Sequence, residues 1–211
     1  MKKALWFLPA LALFGAGFLA SAYCQSEALA ISGKSLHFIR RIFVPKAMAN
    51  PSFRLQAPVH RSTPPTSLTL VGDSLTAYGP WNRILKVDYN NFGIAGDTTI
   101  GVVERIEDMP LGDTVMVEVG TNDPNMGVPL KQTKANIDKI MAKLRGKHVI
   151  FSITPPMADP DGNAALEPIR DYQRQACIRL KNCKIVDLPA ILGNKHGLLR
   201  KELTCLIHRG G

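Results

Sequence analysis

Four short runs along the chain are apolar and rich in β-formers: SLTLV at 67–71, TVMVEV at 114–119, KHVIFSI at 147–153 and KIVDL at 184–188. Near-continuous apolar runs of this length suit strands buried on both faces of a parallel sheet. Between them the period changes from strand-like to helical. Residues 99–107 (TIGVVERIE) space their apolar positions as a helix does. Residues 130–144 place Ile137, Ile140, Met141 and Leu144 on one face, and residues 167–180 form a third candidate. Strands alternating with helices predict βαβ units, hence an α/β protein with a parallel sheet. In such sheets ligands bind outside the carboxyl ends of the strands, so the chemistry is sought there.

The first 66 residues follow a different pattern. Lys2 and Lys3 precede an apolar run over 4–22 that ends in the small-residue site Ala20-Ser21-Ala22. This reads as a bacterial secretory signal peptide. The run is also long enough for an uncleaved membrane anchor, with Trp6 and Tyr23 as interface aromatics. A lipid anchor on Cys24 is disfavoured by the bulky Tyr23 before it. Residues 23–66 are expected to be a basic, irregular linker ending at Pro64 and Pro65, and stretch 34–61 is taken as a spacer rather than a binding surface. The expected location is therefore outside a bacterial cytoplasm: periplasmic, secreted or held at the membrane through residues 4–22.

Charge supports that division. The net charge is +9, but residues 1–61 hold eight Lys and Arg against one acid, Glu27. The remainder is close to neutral, which argues against a nucleic-acid partner. The histidines are scattered with no zinc-type Cys/His spacing, and neither a metal nor a cofactor is expected. Cys177 and Cys183 lie close enough in sequence to pair in an oxidising compartment, or to be two buried thiols.

Three segments fall at the ends of the predicted strands. Gly72-Asp73-Ser74-Leu75 follows the first, with Ser74 at the start of a helix. Asn91 to Thr99 is a loop containing Gly93 and Gly96. Gly120-Thr121-Asn122-Asp123 follows the second apolar run. Each alone is explained by capping and turn chemistry. Together, in this order and spacing, they resemble the SGNH hydrolases, also called the GDSL esterase/lipase family, over residues 67–208. The Ile94–Thr99 stretch resembles the small bacterial thioesterase/arylesterase branch.

The resemblance implies a three-layer α/β sandwich with a mostly parallel central sheet, of SGNH/flavodoxin-like type. It implies Ser74 as nucleophile, an oxyanion hole from the N–H groups of Ser74 and Gly96 and the Asn122 amide, and Asp73 and Asp123 in support. The substrate would be a small-molecule or cell-surface ester or thioester, cleaved through an acyl-enzyme. The last family block, D-x-x-H, corresponds to Cys205-Leu206-Ile207-His208. The base is thus expected at His208, with Cys205 where an aspartate belongs, and His196 is the second choice. The family's terminal helix is missing after His208, which suggests a truncated product that keeps the fold with impaired catalysis.

Overall fold

The computed structural model describes residues 50–201. The elements, in chain order, are α1 (Pro51–Ser62), β1 (Leu68–Gly72), α2 (Ser74–Ala77), α3 (Trp81–Ile84), β2 (Tyr89–Gly93), α4 (Thr99–Ile106), β3 (Thr114–Glu118), α5 (Leu130–Lys143), β4 (His148–Ile153), α6 (Pro160–Arg179), β5 (Cys183–Asp187) and α7 (Leu188–Leu192). The five strands form one sheet in the order β2-β1-β3-β4-β5, and every pairing is parallel. Among the described residues the sheet is parallel throughout, as expected for this class of fold.

Side-chain alternation along the strands divides the core. Val71, Val115, Val117, Val149 and Phe151 face one way and meet Val102 and Ile106 of α4, Ile137 and Ile140 of α5, and Leu166 and Ile169 of α6. Leu70, Met116 and Ile150 face the other way, toward Trp81 and Leu85 around α3. Val186 joins Leu188, Leu192 and Leu199 on α7 and the segment after it. The three layers are unequal. Long helices α4 to α6 cover one face, and the short helices α2, α3 and α7 cover the other.

The four apolar runs correspond to β1, β3, β4 and β5. The fifth strand, β2, was expected to lie within a loop. Its sequence YNNFG carries two asparagines, a composition that strands usually avoid. Both are satisfied at this edge position: the Asn90 Nδ2 donates to the Pro64 carbonyl at 2.7 Å, and the Asn91 Nδ2 donates to the Thr76 carbonyl at 3.0 Å. Helix α6 begins before the expected residue 167, because Asp159 caps it by accepting from the Gly162 N–H at 2.7 Å and Pro160 sits at its first turn.

Residues 51–62 depart from the irregular linker expected over 23–66. Asn50 caps a twelve-residue helix there by accepting from the Ser52 N–H at 3.0 Å. Phe53 and Ala57 on its inner face pack against Ile94 and Ile100. Tertiary contact explains the helix, since an isolated segment of this length is marginal in water. Cys177 and Cys183 form a disulfide that ties the last turn of α6 to the start of β5, with Cα atoms 5.3 Å apart. The apolar run at 4–22, and with it Cys205 and His208, lies outside the described residues.

Candidate active site

The strand order changes direction between β1 and β3, since the chain passes first to β2 on one side and then to β3 on the other. A crevice at the carboxyl ends is expected at that switch point. The segments that follow β1, β2 and β3 meet there.

β1 ends at Gly72. A side chain there would collide with the Thr76 hydroxyl and the Glu118 carbonyl oxygen, so glycine lets α2 fold tightly onto the strand end. Asp73 caps α2, its Oδ1 accepting from the Leu75 N–H at 2.9 Å. Ser74 is the first residue of α2 and is half-buried. Its N–H is one of the first-turn amides that have no intrahelical acceptor, and among the described residues its hydroxyl makes no side-chain hydrogen bond.

After β2 the chain turns through Ile94, Ala95, Gly96 and Asp97, closed by the Asp97 N–H donating to the Ile94 carbonyl at 3.1 Å. Gly96 has φ +73°, as the third residue of a type II turn requires. After β3, Asn122 joins the other two segments. Its Nδ2 donates to Asp73 Oδ2 at 3.1 Å and to the Asp97 carbonyl at 2.9 Å. Asp123 is wholly buried and fastens α4 and α5 to this loop. Its Oδ1 accepts from the Thr99 N–H at 2.9 Å, and its Oδ2 accepts from the Thr99 and Thr133 hydroxyls at 2.5 and 2.7 Å.

Beneath these loops lies a layer of buried charge that was not anticipated. Arg105 of α4 donates from Nε to Asp97 Oδ2 at 2.9 Å, from Nη1 to the Phe92 carbonyl at 2.6 Å and from Nη2 to the Gly72 carbonyl at 3.1 Å. It thereby holds the ends of β1 and β2 and the Gly96 turn together. Glu118, the last residue of β3, is 3% exposed beside Asp73 at 2%. Its Oε1 accepts from the Thr121 hydroxyl at 2.8 Å. Its Oε2 has no donor unless one carboxyl of the pair is protonated. Burial pushes the Asp73 carboxyl well up, and the neighbouring Glu118 charge adds to the rise. Burial raises Glu118 as well. Asp97 is pushed up to about 6 by burial, against the pull of Arg105. Burial likewise raises Asp123, opposed by its threonine donors. One sequence signal marked Glu118: a lone acid in an otherwise apolar strand. Arg105 had none, because its position reads as the polar face of an amphipathic helix.

Among the described residues no histidine hydrogen-bonds to Ser74. His148 begins β4, at the amino end of the sheet. His196 is exposed in the turn after α7. His60 is buried on α1 with its ring centroid 4.7 Å from that of Phe92. Asp187 is engaged elsewhere, its Oδ2 accepting from Arg174 Nε at 2.9 Å and its Oδ1 from the Ala190 N–H at 3.1 Å. The segment leading toward His208 runs along the carboxyl side of the sheet. The Leu199 N–H donates to the Met157 carbonyl at 3.0 Å, and Leu199 shares an apolar cluster with Leu75, the neighbour of Ser74. No group of three or more metal-binding side chains gathers among the described residues.

A parallel α/β sandwich with a serine, a glycine turn and an asparagine converging at its switch point fits the class of SGNH-type hydrolases acting on ester bonds. The chain belongs to the GDSL-like lipase/acylhydrolase family, whose model matches residues 70–208. No curated protein matches the sequence. Among solved structures it is similar to a protein of Streptococcus pneumonia assigned as a platelet activating factor, with TM-score 0.63 and 19% identity over 73% of this chain and 83% of that one. It is also similar to a protein of Desulfitobacterium hafniense DCB-2 assigned as a lipolytic member of the G-D-S-L family. That match has TM-score 0.55 and 18% identity over 64% of this chain and 85% of the other. A third similar structure is a variant of an acetyl xylan esterase from Geobacillus stearothermophilus, with TM-score 0.50 and 18% identity over 58% and 76% of the two chains.

Proposed function

We propose that the protein is an exported serine esterase that cleaves a carboxylic ester or thioester through an acyl-enzyme on Ser74. The observation that carries this reading is the Asn122 amide, which bonds both the Ser74 turn and the Gly96 turn. On this reading the Ser74 N–H and the Gly96 N–H serve as two oxyanion donors on the loops that Asn122 joins, and the Asn122 amide becomes the third by giving up its bond to Asp73 or to the Asp97 carbonyl. Acyl transfer needs this arrangement. The serine attacks the carbonyl once a base takes its proton, and negative charge collects on the former carbonyl oxygen, where preorganised donors stabilise it.

His208 is the proposed base. The apolar cluster that Leu199 shares with Leu75 supports it, because it brings the chain close to the neighbour of Ser74 shortly before His208 in sequence. Export is supported by the Lys2-Lys3 head and the apolar run that follows, and by the Cys177–Cys183 disulfide, since disulfides persist in oxidising compartments. A short acyl group, such as an acetyl ester on a cell-surface glycan, is the proposed substrate class, and the acetyl xylan esterase of similar fold fits it. The test is hydrolysis of p-nitrophenyl acetate by the wild type and Ser74→Ala. Loss of turnover in the variant is expected, and equal rates would exclude the proposal.

One observation favours a second reading, an impaired relative. Cys205 stands where the base's aspartate is expected, and a thiol is a weak hydrogen-bond partner. In a triad the carboxylate orients the imidazole and stabilises its charged form. If this reading holds, the wild type is slow and Cys205→Asp raises kcat strongly. An active wild type unaffected by that substitution would reject it.

A further inference from the structure

We propose that Asn50, at the head of a helix that precedes the family domain, is a positioning residue that sets the direction of the Gly96 N–H. The inference rests on the esterase reading for its catalytic consequence and on geometry for the rest. The family match begins at residue 70, so α1 and its cap lie outside the matched segment. Asn50 uses both ends of its side-chain amide. Its oxygen accepts from the Ser52 N–H at 3.0 Å and caps α1, while its nitrogen donates to the Ala95 carbonyl at 3.0 Å.

The Ala95 carbonyl and the Gly96 N–H belong to the same peptide unit. In a trans peptide these two groups point in opposite directions. A donor that holds the carbonyl from outside therefore aims the N–H the other way. This unit is also the central peptide of the Ile94–Asp97 turn. Types I and II of such a turn differ by a flip of that peptide, and only type II places the third residue at positive φ. Gly96 has that φ, +73°. Its need for glycine is conformational, since the nearest atom to an added Cβ would be Asn50 Nδ2 at a comfortable 3.7 Å.

Holding the carbonyl acts on the N–H in a second way. An amide whose oxygen accepts a hydrogen bond is polarised and becomes a better donor. Phe53 and Ala57 seat α1 on Ile94 and Ile100, which flank the turn on either side in sequence. The Arg61 Nη2 to Asp108 Oδ2 pair at 3.1 Å ties down the other end of the helix at an exposed site far from the turn.

The test separates the donor from the cap. Asn50→Ser keeps a capping oxygen, so α1 persists, but its short hydroxyl cannot reach the Ala95 carbonyl. Asn50→Ala removes both functions, and Arg61→Ala loosens the helix without touching the turn. Two readouts are taken: the chemical shift and hydrogen exchange of the Gly96 amide in 15N-labelled protein, and kcat and KM on p-nitrophenyl acetate. The expected result is a shifted, faster-exchanging Gly96 amide in both Asn50 variants and not in Arg61→Ala. With it, kcat falls about 10- to 100-fold at little-changed KM, below the roughly 100- to 1,000-fold for outright loss of an oxyanion donor. An unchanged Gly96 amide in Asn50→Ser overturns the proposal, whatever happens to turnover. A shifted amide with unchanged Ser74-dependent kcat overturns its catalytic part. If the wild type has no Ser74-dependent turnover, the esterase reading fails instead, and the amide readout still decides the role of Asn50.

Discussion

Arg105 and Asp97 form an ion pair at 2.9 Å in which neither side chain is more than 2% exposed. Two further N–H groups of the guanidinium go to the Phe92 and Gly72 carbonyls. An isolated buried pair is weak evidence for stability, because desolvation offsets attraction. This one does a further task by setting the spacing of the two loops that flank Ser74. Arg105→Met removes the cation and leaves Asp97 Oδ2 and the Phe92 carbonyl without the guanidinium, while Asp97 Oδ1 keeps the Thr98 N–H and the Gly72 carbonyl keeps the Ile94 N–H. The expected loss is roughly 3–5 kcal/mol, measured by urea unfolding. A loss below about 1 kcal/mol would mean that water replaces the guanidinium freely.

Asn122 links Asp73 to the Asp97 carbonyl, so its removal should act on both structure and rate. Asn122→Ala is expected to lower kcat by about 100- to 1,000-fold with a small effect on KM, the pattern of a donor used chiefly in the transition state. Steady-state kinetics on p-nitrophenyl acetate checks it. A rise in KM alone would reassign Asn122 to substrate binding.

Glu118 and Asp73 are two buried carboxyls with raised affinity for protons. For such groups the folded state binds protons that the unfolded chain has released. Stability contributed by the pair is therefore greatest at acid pH and declines as pH rises past the ordinary carboxyl range. Glu118→Gln keeps the shape, supplies a donor to Asp73 and removes one titration. The variant's stability should decline less steeply than the wild type's between pH 5 and pH 8 (about 1.4 kcal/mol per pH unit is the most a single group contributes). Parallel unfolding curves at both pH values would argue that the pair holds no shared proton.

His60 titrates in the opposite sense. Burial, with help from the Arg105 charge, lowers it to about 4, and its Nδ1 has no partner. The unfolded chain therefore binds a proton between about 4 and the ordinary value of 6.5 that the folded chain refuses. Stability contributed by the neutral ring is complete above that window and is lost as pH falls through it. His60→Phe retains the contact with Phe92 and removes the titration. Relative to wild type, the variant should gain on the order of 2 kcal/mol at pH 4.5 over its difference at pH 7.5, read from thermal or urea unfolding. A constant difference would place His60 in water.

Much of the frame was readable because buried parallel strands must be apolar whatever their neighbours are. The runs at 67–71, 114–119, 147–153 and 184–188 could be read locally. So could the amphipathic spacing of Ile137 and Ile140, and the blocks around Ser74, Gly96 and Asn122. β2 escaped because its strand character depends on partners for Asn90 and Asn91 that lie at Pro64 and Thr76. Helix α1 escaped because its apolar positions, Phe53 and Ala57, gain meaning only against Ile94 and Ile100.

The sequence by itself determined the alternation of strands and helices and the identity of the residues at the strand ends. Both follow from short-range periodicity and turn chemistry. Only the tertiary structure decided that Arg105 and Glu118 lie beneath those residues, and that Asn50 reaches the Ala95 carbonyl. A charged or amide side chain carries no local mark of where its partner will be, since the partner is brought to it by strand order and helix packing.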